Sequence, residues 1–260
     1  MAEIKRIHAV EFEDVLARTK FNRAKFTKDY FITVLLYLIK DVEGIYFKGG
    51  TALQKIFLDH SRLSEDVDFT LTRDVSEVKK DIKSIIRDSN LFEEITEDKT
   101  VEGFVRLIVH YKDFNGQKDR VFIDLSERAK PMLNSEEHEL KHFYEPNIPK
   151  FHVKTLALRE IVAEKVRATV TRNKPRDHFD VYKIIQAKIL IDLDLAKEKC
   201  GQSGTEFSVI KMFNKAKMLK NRWDKDMNSL LSEPIQFQEV IIFLARHFKL
   251  KEEKDKLKKE

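Results

Sequence analysis

The 260 residues carry 49 Lys and Arg against 44 Asp and Glu, a formal charge of +5 and a pI near 9.0, so any nucleic-acid contact must come from local clusters of cations. A single cysteine, Cys200, excludes an intramolecular disulfide framework and a cysteine zinc cluster. No window is apolar enough to span a membrane and the N-terminal MAEIKRIHAVEFEDVL lacks the apolar core of a secretion signal, so the expected location is the cytoplasm, with no membrane partner.

In chain order, two N-terminal helices are predicted, the second with an apolar stripe of Phe26, Tyr30, Val34 and Leu38. Ile45 to Lys48 is a short β-prone run that Gly49-Gly50 stops, and Thr51 can then open a helix. Asp66 to Leu71 alternates polar and apolar residues as a strand does, and a helix is expected near Val75 to Ser89. Phe104 to Tyr111 and Arg120 to Ser126 read as strands joined through Asn115-Gly116, a hairpin signal within a slightly longer loop. After the proline-containing stretch Glu145 to Lys150, nearly everything has helical periodicity. Leu156 to Thr171 is broken by Asn173, Lys174 and Pro175, and a new helix starts near Arg176. Gly201 to Gly204 reads as a loop, two further amphipathic segments follow, and the tail KLKEEKDKLKKE reads as a self-paired, fraying helix end. Two lobes are therefore expected, 1–150 and 151–260, with a site in the cleft between them.

Chemistry concentrates in YFKGGTALQKIFLDHSRLSEDVDFTL. The backbone N–H groups of a Gly49-Gly50-Thr51 turn can approach a phosphate, and the helix start behind them adds a favourable dipole. On a strand, Asp66, Asp68 and Thr70 share one face, so two hard carboxylates converge in a way that suits Mg²⁺, which completes its shell with water and substrate phosphates. Lys48, Arg62 and Ser64 flank this motif and can touch phosphate or fix the aspartate loop; the planar Arg62 fork suits either task. Taken singly, Gly-Gly marks any loop and Asp-x-Asp is common.

Their order resembles the opening arrangement of the DNA polymerase β-like nucleotidyltransferases, which place a third carboxylate on a later strand. Asp124 is the candidate: with Phe122 it occupies the face opposite Val121, Ile123 and Leu125, the alternative being a solvent-facing aspartate on an edge strand. More narrowly, KGGTAL, RLSEDVDF, EKVRA and RDHFD resemble the AbiEii/AbiGii nucleotidyltransferase toxins, closely over Phe47 to Phe69 and again from Glu160 to Asp180. The resemblance implies an α+β fold, with a nucleotidyltransferase-like mixed sheet flanked by helices and a helical C-terminal lobe. It implies a toxin-antitoxin or phage-defence setting, transfer of a nucleotide from an NTP to an RNA acceptor, tRNA in some members, and a cognate antitoxin. Asp66, Asp68 and Asp124 would hold one or two Mg²⁺ ions, Lys165 would hold the triphosphate, and Arg176, Asp177 and Asp180 would organise the far wall of the cleft.

Ordinary roles compete: Lys165 can be solvated, Asp177 can serve a helix start, and Arg176 with Asp180 can form a surface pair worth under about 1 kcal/mol. His178 is read as a surface or hydrogen-bonded residue and not as a catalyst. Two basic clusters could track an RNA backbone, one from Arg159 to Arg176 and one from Lys211 to Arg222; the second fits a solvated helix face slightly better, with Met212, Phe213, Ala216 and Leu219 on the buried side. The same core also fits nucleotidylation of a small molecule or a protein, or a non-catalytic nucleotide-binding module.

Overall fold

Two helices precede the first strand in the computed structural model, which describes residues 4–258. They are α1 (Ala9–Thr19) and α2 (Arg23–Ile39). The Asn22 side chain caps α2 by accepting from the Lys25 N–H at 3.2 Å. Of the expected stripe, Phe26, Tyr30 and Val34 are buried and Leu38 is half-buried, and burial continues round the helix through Ile32, Leu35 and Leu36, as the mostly apolar run from Tyr30 to Ile39 requires.

The strand β1 (Ile45–Lys48) runs into the short helix α3 (Gly49–Ala52), which continues as a π-helical turn over Leu53–Phe57. Then come β2 (Asp66–Leu71), α4 (Val75–Ser89), β3 (Glu94–Val101), β4 (Phe104–Lys112), β5 (Lys118–Ser126), β6 (Glu136–Glu139) and β7 (His152–Thr155). Among the described residues these strands form one seven-stranded mixed sheet in the order β3-β4-β5-β2-β1-β7-β6. The pairs β2–β5 and β1–β7 are parallel and the others antiparallel. Phe47, Phe69, Leu125 and Val105 stand side by side across four strands and are all buried; each such side chain contributes roughly 1.5–3 kcal/mol of transfer free energy. Both α2 and α4 pack on the sheet, α4 through Val78, Ile82 and Ile86. That leaves the opposite face of β4, β5 and β2 half-exposed.

The chain divides into two units between Ala157 and Leu158. The second is helical throughout: α5 (Leu158–Thr171), α6 (Pro175–Gln186), α7 (Leu193–Gln202), α8 (Val209–Phe213), α9 (Ala216–Met227), α10 (Phe237–His247) and α11 (Leu250–Leu257). Pro175 occupies the first position of α6, where its missing N–H costs nothing. Ile161, Val166, Phe179, Ile184, Trp223 and Leu244 are buried within this unit, and the Trp223 indole donates to the Ile235 carbonyl at 2.8 Å. Gly201, expected in a loop, lies in the last turn of α7, and the chain turns only at Gly204, φ +67°. The expected tail helix is present as α11, with Lys256 paired to Glu253 at 2.7 Å; residues 259–260, and residues 1–3 at the other end, lie outside the described residues. No helix among the described residues is long and apolar enough to cross a membrane.

Candidate active site

The turn after β1 is shaped by Gly49. Its φ is +77°, and a Cβ added there would lie 2.3 Å from Asp68 Oδ2, so only glycine lets the Asp68 carboxylate rest against the backbone. Gly49 and Gly50 begin α3, which has no side-chain cap, so the first backbone N–H groups lack intrahelical partners. The Thr51 hydroxyl donates to the Asp66 carbonyl and ties the turn to the start of β2. Gln54 holds the intervening loop: its Oε1 accepts from the Ser61 hydroxyl at 2.8 Å and the Arg62 N–H at 3.2 Å, and its carbonyl accepts from the His60 N–H at 2.9 Å. Arg62 is buried and donates to the Leu63 carbonyl at 2.7 Å; Ser64 is buried beside it in sequence. Both residues sit within the loop before β2, and the Arg62 side chain contacts the loop backbone directly.

Sheet register assembles the carboxylates. Lys48, Asp68, Asp124 and Arg106 are successive partners across β1, β2, β5 and β4, forming a row of charges plus, minus, minus, plus on the half-exposed face. Asp66 opens the next row, followed by Phe122, Ile108 and Thr96. Asp124 is therefore on an interior strand, next to Asp68, and its edge-strand alternative fails. Its carboxylate is held by the Arg106 fork, Nε to Oδ1 at 2.6 Å and Nη2 to Oδ2 at 2.7 Å. The Arg106 guanidinium is driven further above its ordinary value by that bidentate bond, with the Asp66 charge adding to the field.

Among the described residues, no three His, Cys, Asp or Glu side chains are gathered closely enough to hold a metal ion together. The Arg106 fork engages both Asp124 oxygens. Mg²⁺, however, takes one or two protein carboxylates and completes its octahedron with water and phosphate oxygens. The paired hard donors Asp66 and Asp68, beside backbone N–H groups suited to phosphate, fit that requirement.

In the helical unit, Lys165 is 6% exposed and lies 2.9 Å from Asp180 and 3.3 Å from Asp177, both fully buried. Arg172 grips Asp177 through Nε at 2.8 Å and Nη2 at 2.7 Å. Burial would raise the Asp177 pKa, but the Lys165 charge and the Arg172 fork outweigh it and hold the carboxyl well below its usual range. The solvated alternative for Lys165 and the surface-pair alternative for Asp180 are thus corrected: both belong to a buried ion cluster that joins α5 to α6. Arg176 is half-buried at the start of α6. His178 is fully buried, not on the surface; Nε2 lies 2.8 Å from the Met212 carbonyl, which makes it a tether between α6 and α8.

Sequence reasoning did not single out Arg106 or Gln54. Arg106 had a signal, since the hairpin that presents Asp124 must also place a β4 residue opposite it; Gln54 had none, because a buried glutamine in a short helix has no pattern of its own.

Residues 36–242 match the family described as Nucleotidyl transferase AbiEii toxin, Type IV TA system. The fold is similar to that of MenT4, nucleotidyltransferase toxin Rv2826c from Mycobacterium tuberculosis H37Rv, at 19% identity and a TM-score of 0.66, covering 91% of this chain and 88% of that one. It is also similar to JHP933 from Helicobacter pylori, at 18% identity and a TM-score of 0.61, covering 92% of this chain and 98% of that one. A search of curated proteins gave no match.

Proposed function

The chain belongs to the AbiEii nucleotidyltransferase toxin family, and from that premise we propose that it moves NMP from an NTP to an RNA acceptor, tRNA in particular, under control of a cognate antitoxin. The observation that carries the site assignment is the register that sets Asp124 beside Asp68 on parallel strands, with Gly49 packed against the Asp68 carboxylate. An RNA hydroxyl oxygen attacks the α-phosphorus, the new P–O bond forms as the bond to the bridging oxygen breaks, and pyrophosphate leaves. Asp66 and Asp68 would hold Mg²⁺, which would supply charge neutralisation at the phosphates. Backbone N–H groups at Gly49 and Gly50 hold phosphate oxygens, and Thr51 keeps that turn in place through the Asp66 carbonyl. Asp124, once released by Arg106, accepts the proton of the attacking hydroxyl.

Family likeness also assigns nucleotide contacts to Lys165, Arg176, Asp177 and Asp180. Because three of these form a buried ion cluster, their substitution is expected to lower stability as well as activity, and each variant needs a melting measurement beside its assay.

The test is incubation with Mg²⁺, each labelled NTP in turn and total RNA, alongside Asp66→Asn and Asp68→Asn. Label is expected on tRNA-sized RNA, reduced at least about 1000-fold in either variant, since several kcal/mol of charge stabilisation are lost. Label on protein or a small molecule instead, with none on RNA, would redirect the acceptor assignment; label retained by both variants would remove the site assignment.

A further inference from the structure

The half-exposed sheet face does not end at the aspartates. Beyond Asp66 in its row stands Phe122, and the guanidinium carbons of Arg106 and Arg120 each lie 5.4 Å from the centre of its ring. One strand further, on the same face, Phe104 is covered by Arg128 at 5.5 Å. Ile108 lies opposite Phe122, and the Asp124–Arg106 row lies between that pair and Phe104. A scattered surface phenylalanine needs no explanation. Two of them, each faced by arginine and flanking the row of Asp68, Asp124 and Arg106 on either side, form something more specific. Flat π surfaces interleaved with cations are the chemistry that receives unpaired nucleotides: bases stack on the rings and guanidinium planes, and the same guanidinium groups turn to phosphate.

We propose that Phe122, with Arg106, Arg120 and the Phe104–Arg128 pair, is the platform on which the single-stranded 3′ end of the RNA acceptor lies. This rests on the assignment of RNA as acceptor made above. Phe122 and Asp124 are two residues apart on β5, about 7 Å along an extended strand. A terminal base stacked on Phe122 therefore puts its own ribose hydroxyl in the neighbourhood of Asp124 and Asp68. Arg106 links the two functions, since it touches both the Phe122 ring and the Asp124 carboxylate. An RNA end that draws Arg106 toward phosphate frees Asp124 at the moment its hydroxyl arrives. Duplex RNA, whose bases are already stacked, has no use for the platform.

The experiment measures binding of a fluorescein-labelled single-stranded RNA dodecamer, and of its duplex, by anisotropy in the full chain, with wild type, Phe122→Leu and Phe122→Trp compared. KM for RNA in the transfer assay and affinity for a fluorescent NTP analogue are measured in parallel. Phe122→Leu keeps an apolar, strand-compatible side chain, and unchanged NTP affinity shows that its fold is intact. Single-strand affinity is expected to fall about tenfold in Phe122→Leu, with KM rising to match, while Phe122→Trp binds within about twofold of wild type. Equal RNA affinity and KM in wild type and Phe122→Leu would overturn the platform and leave the face to a protein partner. A wild type that neither binds nor labels any RNA would instead overturn the acceptor assignment, and the platform with it.

Discussion

At Gly49 two independent demands meet in one residue. Its φ of +77° lies where a Cβ is strained, and the space a Cβ needs is filled by Asp68 Oδ2 at 2.3 Å. Gly49→Ala therefore has no relaxed solution: either the turn changes its backbone or the carboxylate moves. A non-glycine residue in this region costs about 1–2 kcal/mol, which the buried sheet can absorb. A carboxylate shifted by 1 Å disrupts positioning that is worth roughly 100-fold in rate. The expected outcome for Gly49→Ala is a melting temperature within a few degrees of wild type and nucleotidyl transfer down about 100-fold, read from a thermal melt and a transfer assay on one preparation. A large loss of stability with activity intact per folded molecule would show that the glycine serves folding alone.

At the scale of elements, the π-helical turn behind the Gly49–Thr51 turn is anchored by a buried ion pair. Lys55 Nζ lies 2.7 Å from Asp29 and 3.0 Å from the Thr33 hydroxyl, both on α2, and Tyr144 donates to the other Asp29 oxygen at 2.9 Å. Burial would raise the Asp29 pKa, yet the Lys55 charge and these hydrogen bonds bring it below its ordinary value. Replacing one partner leaves the other charge buried and unpaired, a loss of about 3–5 kcal/mol, whereas replacing both with apolar groups is often near neutral. Lys55→Met is thus expected to lower stability by that amount in urea unfolding, and Lys55→Met with Asp29→Leu to regain most of it. If the double variant is as unstable as the single one, the pair acts by some means other than mutual neutralisation. None of this network is legible in the sequence, because Lys55 lies in an apolar run and reads as a helix-surface cation. The strands differ in the same way. β2, β4 and β5 alternate cleanly because one face is buried, whereas β3 has a single buried residue, Ile95, and β6 reads Glu-Glu-His-Glu; their ladder bonds come from neighbours and leave no periodic trace. Arg106 shows how close the sequence came. A two-residue turn centred on Asn115-Gly116 would set Leu107 opposite Asp124, but the loop spans Asp113 to Gln117 and shifts the register to Arg106. That loop length follows from the Asp113 carboxylate accepting from the N–H groups of Asn115 and Gln117 at 2.8 and 2.7 Å, a choice that composition does not dictate.

For the whole molecule, the buried titratable groups divide acid sensitivity into two windows. His60 is 7% exposed, and burial first, then the Lys55 charge, lowers its pKa from 6.5 to about 4. The unfolded chain takes up a proton near pH 6.5 that the folded chain refuses until about pH 4, so stability rises with pH between these values and is lost as pH falls through them. A shift of that size corresponds to about 3 kcal/mol at most. His142 and His178, whose pKa values burial also lowers, act in the same direction. Asp29 and Asp177 have pKa values below their ordinary ones, so their contribution is complete above about pH 4 and is lost only in stronger acid. The two effects are therefore separable in one titration. His60→Asn suits the positive φ of 53° at this position and removes the ionisation. Urea unfolding from pH 7 to pH 3 should show the wild type losing stability steadily from pH 6.5, with a shallower slope in His60→Asn down to pH 4 and parallel curves below it. Parallel curves over the whole range would mean that His60 takes up its proton at the same pH in the folded and unfolded chain, and that the upper window belongs to His142 and His178 alone.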